Sequence, residues 1–242
     1  MARSNPMNAA VLLVEDDPVS AAFLHAASQA VAMRVDVATS LAEAMQLAAA
    51  MDHAAWMIDA NLPDGSGIDL LQRLRDVAPT TPAMAHTACA LPDTATRLQQ
   101  AGFAHVLVKP IGVAQWQAAL RDLLHGNPQT HPSDALPEPG AEGMPIWDDA
   151  RASRALGGQL ANVKALRRLF VEELPKQRDA IRVGCESERR QHLHRLRASC
   201  GLVGAARLDA AAAALHDRPG DAQLLQQFLH TADATLAHPF DG

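Results

Sequence analysis

The sequence predicts an α/β domain in the first half of the chain and an all-α domain in the second half. In the first half, short apolar runs alternate with helical stretches, whereas the second half contains only Ala- and Leu-rich helical segments. Between the halves, residues 126–146 hold five of the fifteen prolines and few apolar side chains. Because such a composition cannot form a core, we predict a partly stiff, disordered linker there. The predicted domains are therefore residues 8–125 and 147–238.

Five apolar runs in the first half are predicted to be strands. The runs are almost continuously apolar, which is typical of strands covered on both faces, and the helices between them predict a doubly wound parallel sheet. The predicted strands are 10–14, 33–38, 55–58, 82–86 and 104–108, and the predicted helices are 18–31, 40–51, 66–76, 92–101 and 112–125.

The second half is predicted to be an antiparallel helical bundle. Breaks are expected at Gly157-Gly158 and Pro219-Gly220, and Pro175 is expected to kink the second helix. The predicted helices are 148–156, 159–184, 187–203, 205–216 and 221–236.

Composition narrows the class of protein. No apolar stretch reaches the roughly 18 residues of a membrane helix, and the first residues lack the apolar core of a signal peptide, so we expect a cytoplasmic protein with no membrane insertion. The net charge of −6 and the absence of a basic cluster argue against nucleic-acid binding. Cys89, Cys185 and Cys200 have no paired spacing and are expected to be small core residues.

Four predicted strands are followed or ended by polar side chains. Glu15 and Asp16 follow the first strand, Asp59 the third, Thr87 the fourth and Lys109 the fifth. Because parallel strands collect their carboxyl ends along one edge of the sheet, these side chains should converge. Capping of the next helix is an alternative role for Glu15, Asp16, Asp17 or Thr87, but capping does not explain Asp59 and Lys109 at matching positions.

This combination suits the uptake of a phosphoryl group. A carboxylate attacks phosphorus only where the phosphoryl charge is neutralised, by a hard divalent cation and a fixed positive side chain. Glu15, Asp16 and Asp59 would supply oxygens to Mg²⁺, with the Asn61 carbonyl as a further ligand. Lys109 would supply the fixed charge, and the Thr87 hydroxyl would bind a phosphoryl oxygen. Asp17 and Asp64 are expected to be solvated or turn residues.

Residues 8 to about 125 resemble the response-regulator receiver domain. The resemblance lies in VLLVEDDP, in Asp59 of WMIDANLPDGSG, in Thr87-Ala88 and in Lys109-Pro110. It implies a flavodoxin-like sheet of strand order 2-1-3-4-5, magnesium-dependent phosphorylation of Asp59, and a sensor or hybrid histidine kinase as partner. The chain departs from the family at Val106, where many receivers carry Tyr or Phe as a conformational switch.

In the second half, a histidine lies beside an apolar helical stripe. Leu193, Leu196, Cys200 and Val203 recur at helical spacing and are predicted to be buried, which leaves His194 off the stripe as an exposed imidazole. Its neighbours on the helix are Arg190, Arg197, Ala198 and Gly201. Arginines would steady a phosphoryl charge, and small side chains would give a partner access.

This segment resembles the histidine-containing phosphotransfer (HPt) domain, whose pattern reads here as His194, Arg195, Leu196, Arg197, Ala198, Ser199 and later Gly204. The chain departs from it at Arg197, where Lys is usual, and at Ala198, where Gly is usual. The alternatives are a surface histidine without function and a metal site with His192, although spacing i, i+2 places those two rings on different helix faces. His25, His53, His86, His105, His125 and His216 form no recognisable constellation.

The predicted function is a two-component phosphorelay protein, not an enzyme, that takes phosphate on Asp59 and relays it through His194. A further response-regulator receiver is a possible partner of His194. Two alternatives stay open. One is a binding module that is regulated by phosphorylation and whose helical domain only docks partners. The other is a phosphate sink that drains a kinase by hydrolysis at Asp59.

Overall fold

Each apolar run of the first half forms the strand that its composition predicts. The computed structural model describes residues 10–32, 34–88, 92–109, 111–125, 144–156, 160–238 and 240. The chain divides into two units, Met1–Asp134 and Ala135–Gly242. Most of the predicted linker, residues 126–143, lies outside the described residues, as do Gly157, Gly158 and Cys89.

The first unit is a five-stranded parallel sheet with helices between the strands. In chain order its elements are β1 (Ala10–Val14), α1 (Pro18–Gln29), β2 (Arg34–Ala38), α2 (Leu41–Ala50), β3 (Ala55–Asp59), β4 (Asn61–Leu62), β5 (Gly65–Ser66), α3 (Gly67–Val77), β6 (Ala83–Thr87), α4 (Pro92–Gln100), β7 (His105–Val108) and α5 (Val113–His125).

The order of strands in the sheet is β2-β1-β3-β6-β7, and every neighbouring pair is parallel. The three inner strands are buried along almost their whole length, because helices cover both faces. The predicted doubly wound fold and its strand order are confirmed. The short antiparallel pair β4-β5, which the sequence did not predict, forms a hairpin directly after β3.

Helix caps hold the loops at the carboxyl edge of the sheet. Asp17 caps α1 by accepting a hydrogen bond from the Ser20 N–H at 2.8 Å. Asp64 accepts hydrogen bonds from the N–H groups of Leu41 at 2.8 Å and Ala42 at 3.0 Å, and so caps α2 from the hairpin. Asp64 is an exposed residue in the turn of the hairpin, as expected, and caps α2 in addition. Asp17 is buried rather than solvated, and it has the alternative role of a helix cap. Each carboxylate satisfies backbone donors that a helix start leaves without partners.

The second unit is helical in all its described parts. Its helices are α6 (Asp149–Ala155), α7 (Leu160–Val183), α8 (Glu186–Val203), α9 (Ala206–Asp217) and α10 (Ala222–Ala237). Helix α8 packs against α6, α7 and α9, and α10 packs against α7 and α9. The turn between α9 and α10 contains Pro219 and Gly220, as predicted, and Pro175 lies inside α7.

The predicted apolar stripe of α8 forms part of the core of this unit, since Leu193, Leu196, Cys200 and Val203 are all buried. The expectation for Cys185 was wrong, because this cysteine is exposed at the start of α8. It occupies the N-cap position, which lies outside the apolar stripe of the helix. Among the described helices of the whole chain, none has the length and apolar composition to cross a membrane.

Candidate functional site

The candidate site lies where four strands of the first unit end. In register, Val14 of β1 is opposite Ile58, Asp59 of β3 is opposite His86, and Thr87 of β6 is opposite Val108. Asp59 and Thr87 are therefore the last residues of their strands, Glu15 and Lys109 follow theirs directly, and Asp16 comes one residue later. The carboxyl ends of parallel strands meet at one edge, as expected.

Lys109 joins two of the predicted carboxylates. Its Nζ donates hydrogen bonds to Glu15 Oε2 at 2.6 Å and to Asp59 Oδ2 at 2.7 Å. All three side chains are at least nine-tenths buried. Removing three charges from water is costly unless they are paired and hydrogen-bonded, so this triad is held together by charge as well as by packing.

The two carboxylates differ in their readiness to lose a proton. Burial raises the pKa of Glu15 well above its usual value, and the nearby charge of Lys109 only partly offsets this. Burial also acts on Asp59, but Lys109 and the Asn61 N–H outweigh it, so that the pKa of Asp59 is lowered. Together the carboxylates raise the pKa of Lys109 despite its burial. Asp59 is therefore the more acidic of the two carboxyl groups, which suits a nucleophile.

The hairpin after β3 fixes the orientation of Asp59. The backbone N–H of Asn61 donates to Asp59 Oδ1 at 2.8 Å, while Lys109 binds the other oxygen. The N–H of Gly67 donates to the Ala60 carbonyl at 3.0 Å and closes the hairpin against the strand end. A Cβ at position 67 would lie 2.5 Å from the Asp59 carbonyl oxygen, so only glycine fits there without displacement.

Thr87 and Val106 lie beside this group. Thr87 is fully buried as the last residue of β6, and its carbonyl accepts a hydrogen bond from the Lys109 N–H at 2.7 Å. This bond anchors the lysine to the neighbouring strand. Val106 lies opposite Ala85 and packs against the core of the unit. Pro110, which follows the lysine, lies outside the described residues.

His86 belongs to the site although sequence reasoning assigned it no role. It is fully buried, and its Nδ1 lies 3.4 Å from Glu15 Oε2 and 3.8 Å from Asp59 Oδ2. Its ring packs edge-on against the Trp116 indole, with the ring centroids 5.4 Å apart. Burial and the charge of Lys109 lower the pKa of His86 to about 3, so the imidazole is neutral at pH 7. The signal in the sequence was its place one residue before Thr87 at the same strand end.

The donor set fits a hard divalent cation. Glu15 and Asp59 each bring a carboxylate to the edge of the sheet, and Asp16 follows Glu15 directly. Lys109 offers one positive charge to these acidic residues, and oxygen donors with net negative charge are what Mg²⁺ prefers. Ligand atoms of Glu15, Asp59 and His86 lie within 4.8 Å of one another.

In the second unit, His194 lies in the middle of α8, next to an imidazole of the following helix. The ring centroids of His194 and His216 of α9 are 6.1 Å apart, and His194 is half-buried rather than exposed as expected. Partial burial, together with the charge of Arg197, lowers the pKa of His216. The sequence could not show this pair, because the two residues lie 22 positions apart on different helices.

The predicted neighbours of His194 have different environments. Arg190 is exposed, whereas Arg197 lies 3.4 Å from Asp209, which also binds Arg151 at 2.8 Å. Ala198 is only 6 % exposed, so the expectation that this methyl group lies on an open docking face was wrong. Gly201 is buried as well. Both small residues lie where α8 packs against neighbouring helices, and small side chains there allow the helices to approach closely.

Comparison with known proteins concerns the first unit. Residues 11–121 match the family model described as response regulator receiver domain. The chain is 32 % identical over 126 residues to the KDP operon transcriptional regulatory protein KdpE of Escherichia coli (strain K12), covering 52 % of this chain and 56 % of that protein. It is also 32 % identical over 113 residues to the response regulator protein PilR of Pseudomonas aeruginosa, covering 47 % of this chain and 24 % of that protein. The chain thus spans about half of one curated relative and a quarter of the other.

Solved structures match about half of the chain. The chemotaxis response regulator CheY4 of Vibrio cholerae is 22 % identical, with a TM-score of 0.46, over 48 % of this chain and 99 % of that one. The receiver domain of the Francisella response regulator 1452 is 24 % identical, with a TM-score of 0.46, over 49 % of this chain and 98 % of that one.

Proposed function

We propose that this chain, in which residues 11–121 form a response regulator receiver domain, accepts a phosphoryl group on Asp59 and relays phosphate through His194. The observation that carries the first step is the bridge of Lys109 between Glu15 and Asp59. It holds an ionised carboxylate and a permanent positive charge within hydrogen-bonding distance at an edge of the sheet. We infer that the protein is a signalling component and not an enzyme with its own substrate.

The first transfer is a displacement at phosphorus. A carboxylate oxygen of Asp59 forms a bond to phosphorus as the bond from phosphorus to the donor's histidine nitrogen breaks. The imidazole leaves with the electron pair. It leaves as a neutral ring if its other nitrogen carries a proton, and otherwise as an anion that takes up a proton from water. Lys109 stays within reach of the transferred group and stabilises its charge, and the Thr87 hydroxyl donates to a phosphoryl oxygen.

Glu15, Asp16 and Asp59, with the Asn61 carbonyl, would hold Mg²⁺. When bound, this ion neutralises phosphoryl charge that Lys109 alone cannot balance. Support for this assignment comes from the oxygen-only set of acidic donors at one edge of the sheet, whose negative charge a single ammonium does not balance. The proposed donor of the phosphoryl group is a sensor or hybrid histidine kinase.

The second transfer uses the helical unit. A ring nitrogen of His194 would attack the phosphorus of the Asp59 acyl phosphate, and the Asp59 carboxylate would leave. The half-exposed ring of His194, at the centre of α8 with the exposed Arg190 one turn away, supports this step. A receiver of another chain would be an equally suitable acceptor or donor, since the chemistry of its carboxylate is the same.

The test of the first step is phosphorylation of the full chain by acetyl phosphate carrying a labelled phosphoryl group. With Mg²⁺ present, the unchanged protein should take up label that hydroxylamine removes. Asp59→Asn keeps the side-chain volume but lacks the nucleophile, so it should take up none, and EDTA should abolish uptake by the unchanged protein. Hydroxylamine-sensitive label on Asp59→Asn at the normal rate would disprove the assignment.

The test of the second step compares two histidines of α8. With a phosphorylated kinase or receiver as donor, the full chain should acquire phosphate that is stable in alkali and labile in acid. His194→Gln should lose it, and His192→Gln, two residues away on the same helix, should retain it. Equal labelling of both variants would show that His194 is not the phosphorylated residue.

A phosphorylation-regulated binding module is the second candidate function, and the burial of Ala198 favours it. The HPt pattern has a small residue at this position. In the structure the Ala198 side chain is buried among the helices and is not exposed to a partner. In such a protein Asp59 would still be phosphorylated, but His194 would carry no phosphate under any donor. The His194→Gln comparison therefore distinguishes the two candidates directly.

A further inference from the structure

The buried imidazole of His86 has no hydrogen-bond partner among the described residues at either ring nitrogen. It is fully buried, and an apolar side chain would fill the same space without burying two polar atoms. The Trp116 indole packs against the His86 ring, but its N–H already donates to the Ser28 hydroxyl at 2.8 Å. Its Nδ1 points instead towards Glu15 Oε2 and Asp59 Oδ2.

The oxygen that His86 approaches is the one that Lys109 already binds. Lys109 Nζ lies 2.6 Å from Glu15 Oε2, and His86 Nδ1 lies 3.4 Å from the same atom. At 3.4 Å an N–H group makes at most a weak hydrogen bond, and about half an ångström of approach would make a good one. Glu15 Oε2 therefore has one strong donor in contact and a second donor just beyond good hydrogen-bonding distance, while Oε1 accepts from the Asp17 N–H at 3.3 Å.

Phosphorylation changes the balance between these two donors. A phosphoryl group on Asp59 carries more negative charge than the carboxylate it replaces, so it draws the ammonium of Lys109 towards its own oxygens. Glu15 Oε2 is then a fully buried oxygen that has lost its lysine donor, while the other oxygen, Oε1, stays available to Mg²⁺. A buried acceptor that loses its donor is costly unless another donor takes its place.

We propose that His86 is a positioning residue that binds Glu15 through Nδ1–H when Lys109 turns to the phosphoryl group. The inference rests on the proposed phosphorylation of Asp59 and adds a residue to that site. The neutral imidazole carries its single proton on Nδ1 in this state, and no change in its charge is needed. His86 touches neither phosphorus nor the transferred oxygens, and it acts only through Glu15 and Lys109.

The experiment measures binding of beryllofluoride, an anionic analogue of a phosphoryl group, to the full chain with Mg²⁺, followed by tryptophan fluorescence. His86→Leu should weaken binding about fivefold, the factor expected for loss of one typical hydrogen bond. His86→Asn places an amide N–H close to the position of Nδ1 and should restore binding to within about twofold. A purely packing role predicts the opposite order, because Leu fills the apolar space better than Asn.

A second readout uses the unchanged protein. In ¹H–¹⁵N spectra of the imidazole groups, assigned by comparison with His86→Asn, beryllofluoride should shift the His86 Nδ1–H signal downfield as the hydrogen bond to Glu15 shortens. If His86→Leu does not fold, as judged by circular dichroism, this spectrum decides alone. A signal that does not move, or a Leu variant that binds as tightly as the unchanged protein, would overturn the role of His86.

Asp59→Asn separates this inference from the proposed function. If the unchanged protein does not bind beryllofluoride, or if Asp59→Asn binds it equally well, the proposed function fails and the inference fails with it. If the unchanged protein binds, Asp59→Asn does not, and the His86 variants match the unchanged protein, only the role of His86 is disproved.

Discussion

Replacing Gly67 by alanine should displace Asp59, and the size of the displacement follows from the structure. The added Cβ would lie 2.5 Å from the Asp59 carbonyl oxygen and 3.1 Å from both Ala60 Cα and Ile58 Cγ2. Ordinary contacts between carbon and a carbonyl oxygen begin at about 3.3 Å, so the strand end or the start of α3 must move by about 0.8 Å. The nearest obstacle is the backbone, which cannot rotate away as the end of a flexible side chain could.

This movement has consequences for stability and for chemistry. Overpacking of this kind costs about 1–3 kcal/mol, and with about 2 kcal/mol lost the urea midpoint should fall by about 1 M. Displacement of a reacting group by about 1 Å can slow a reaction about a hundredfold, so phosphorylation of Asp59 should slow much more than the stability change alone would suggest. Gly67→Ala should remain folded without urea while accepting phosphate poorly.

Gly112→Ala is the matched control, because a Cβ at position 112 would meet no atom within 4 Å. It should change the free energy of unfolding by no more than about 1 kcal/mol, in the stabilising direction if at all. Urea unfolding can be followed by the fluorescence of Trp56 and Trp116, which are buried in the first unit. If Gly67→Ala unfolded at the same urea concentration as Gly112→Ala and took up phosphate at the normal rate, the close approach of position 67 to Asp59 would be refuted.

Two further predictions concern the helix ends. Gly204 has φ +75°, and a Cβ there would overlap the Asp148 carbonyl oxygen, so Gly204→Ala should destabilise the second unit by about 2–4 kcal/mol. Thermal unfolding measures this loss, and an unchanged melting temperature would contradict it. Asp64→Ala removes the cap of α2, and because Asp64 is exposed the loss at pH 7 should be about 0.5–1 kcal/mol. Hydrogen bonds from Leu41 and Ala42 outweigh partial burial and lower the pKa of Asp64 in the folded protein. The cap therefore contributes fully above the unfolded pKa near 3.8 and is lost as the pH falls through the lower folded pKa, so unfolding curves of the two proteins should converge in acid; a constant difference from pH 7 to pH 2 would contradict the assignment.

Much of the site could be predicted from the sequence because it depends on the chain positions of strand ends. Asp59 and Lys109 each follow an apolar run, and the rule that parallel strands end at one edge was enough to bring them together. For His86 the same rule gave only a weak signal, because this residue lies one position before the end of its strand. Its role depends on the register that places it opposite Asp59, and on its ring turning towards Glu15.

The remaining errors have the same origin in contacts between distant parts of the chain. Asp64 caps a helix that begins 23 residues earlier, and no local pattern records that contact. Ala198 lies at helical spacing from His194 as predicted, but whether its face is open depends on how α6, α7 and α9 pack around α8. Helical periodicity identifies which residues share a face, and it does not identify which neighbour covers that face.

The bridge of Lys109 between two carboxylates also bears on how genetic experiments with this protein should be interpreted. An Asp59→Asn strain is commonly regarded as locked in the resting form, but here the substitution removes one of the two anions that share a single ammonium. The lysine is then held by Glu15 alone, and the edge of the sheet has one negative charge fewer than in the resting protein. The Asn variant is therefore a third electrostatic state, and a phenotype of that strain reports on this state as well as on the loss of phosphate.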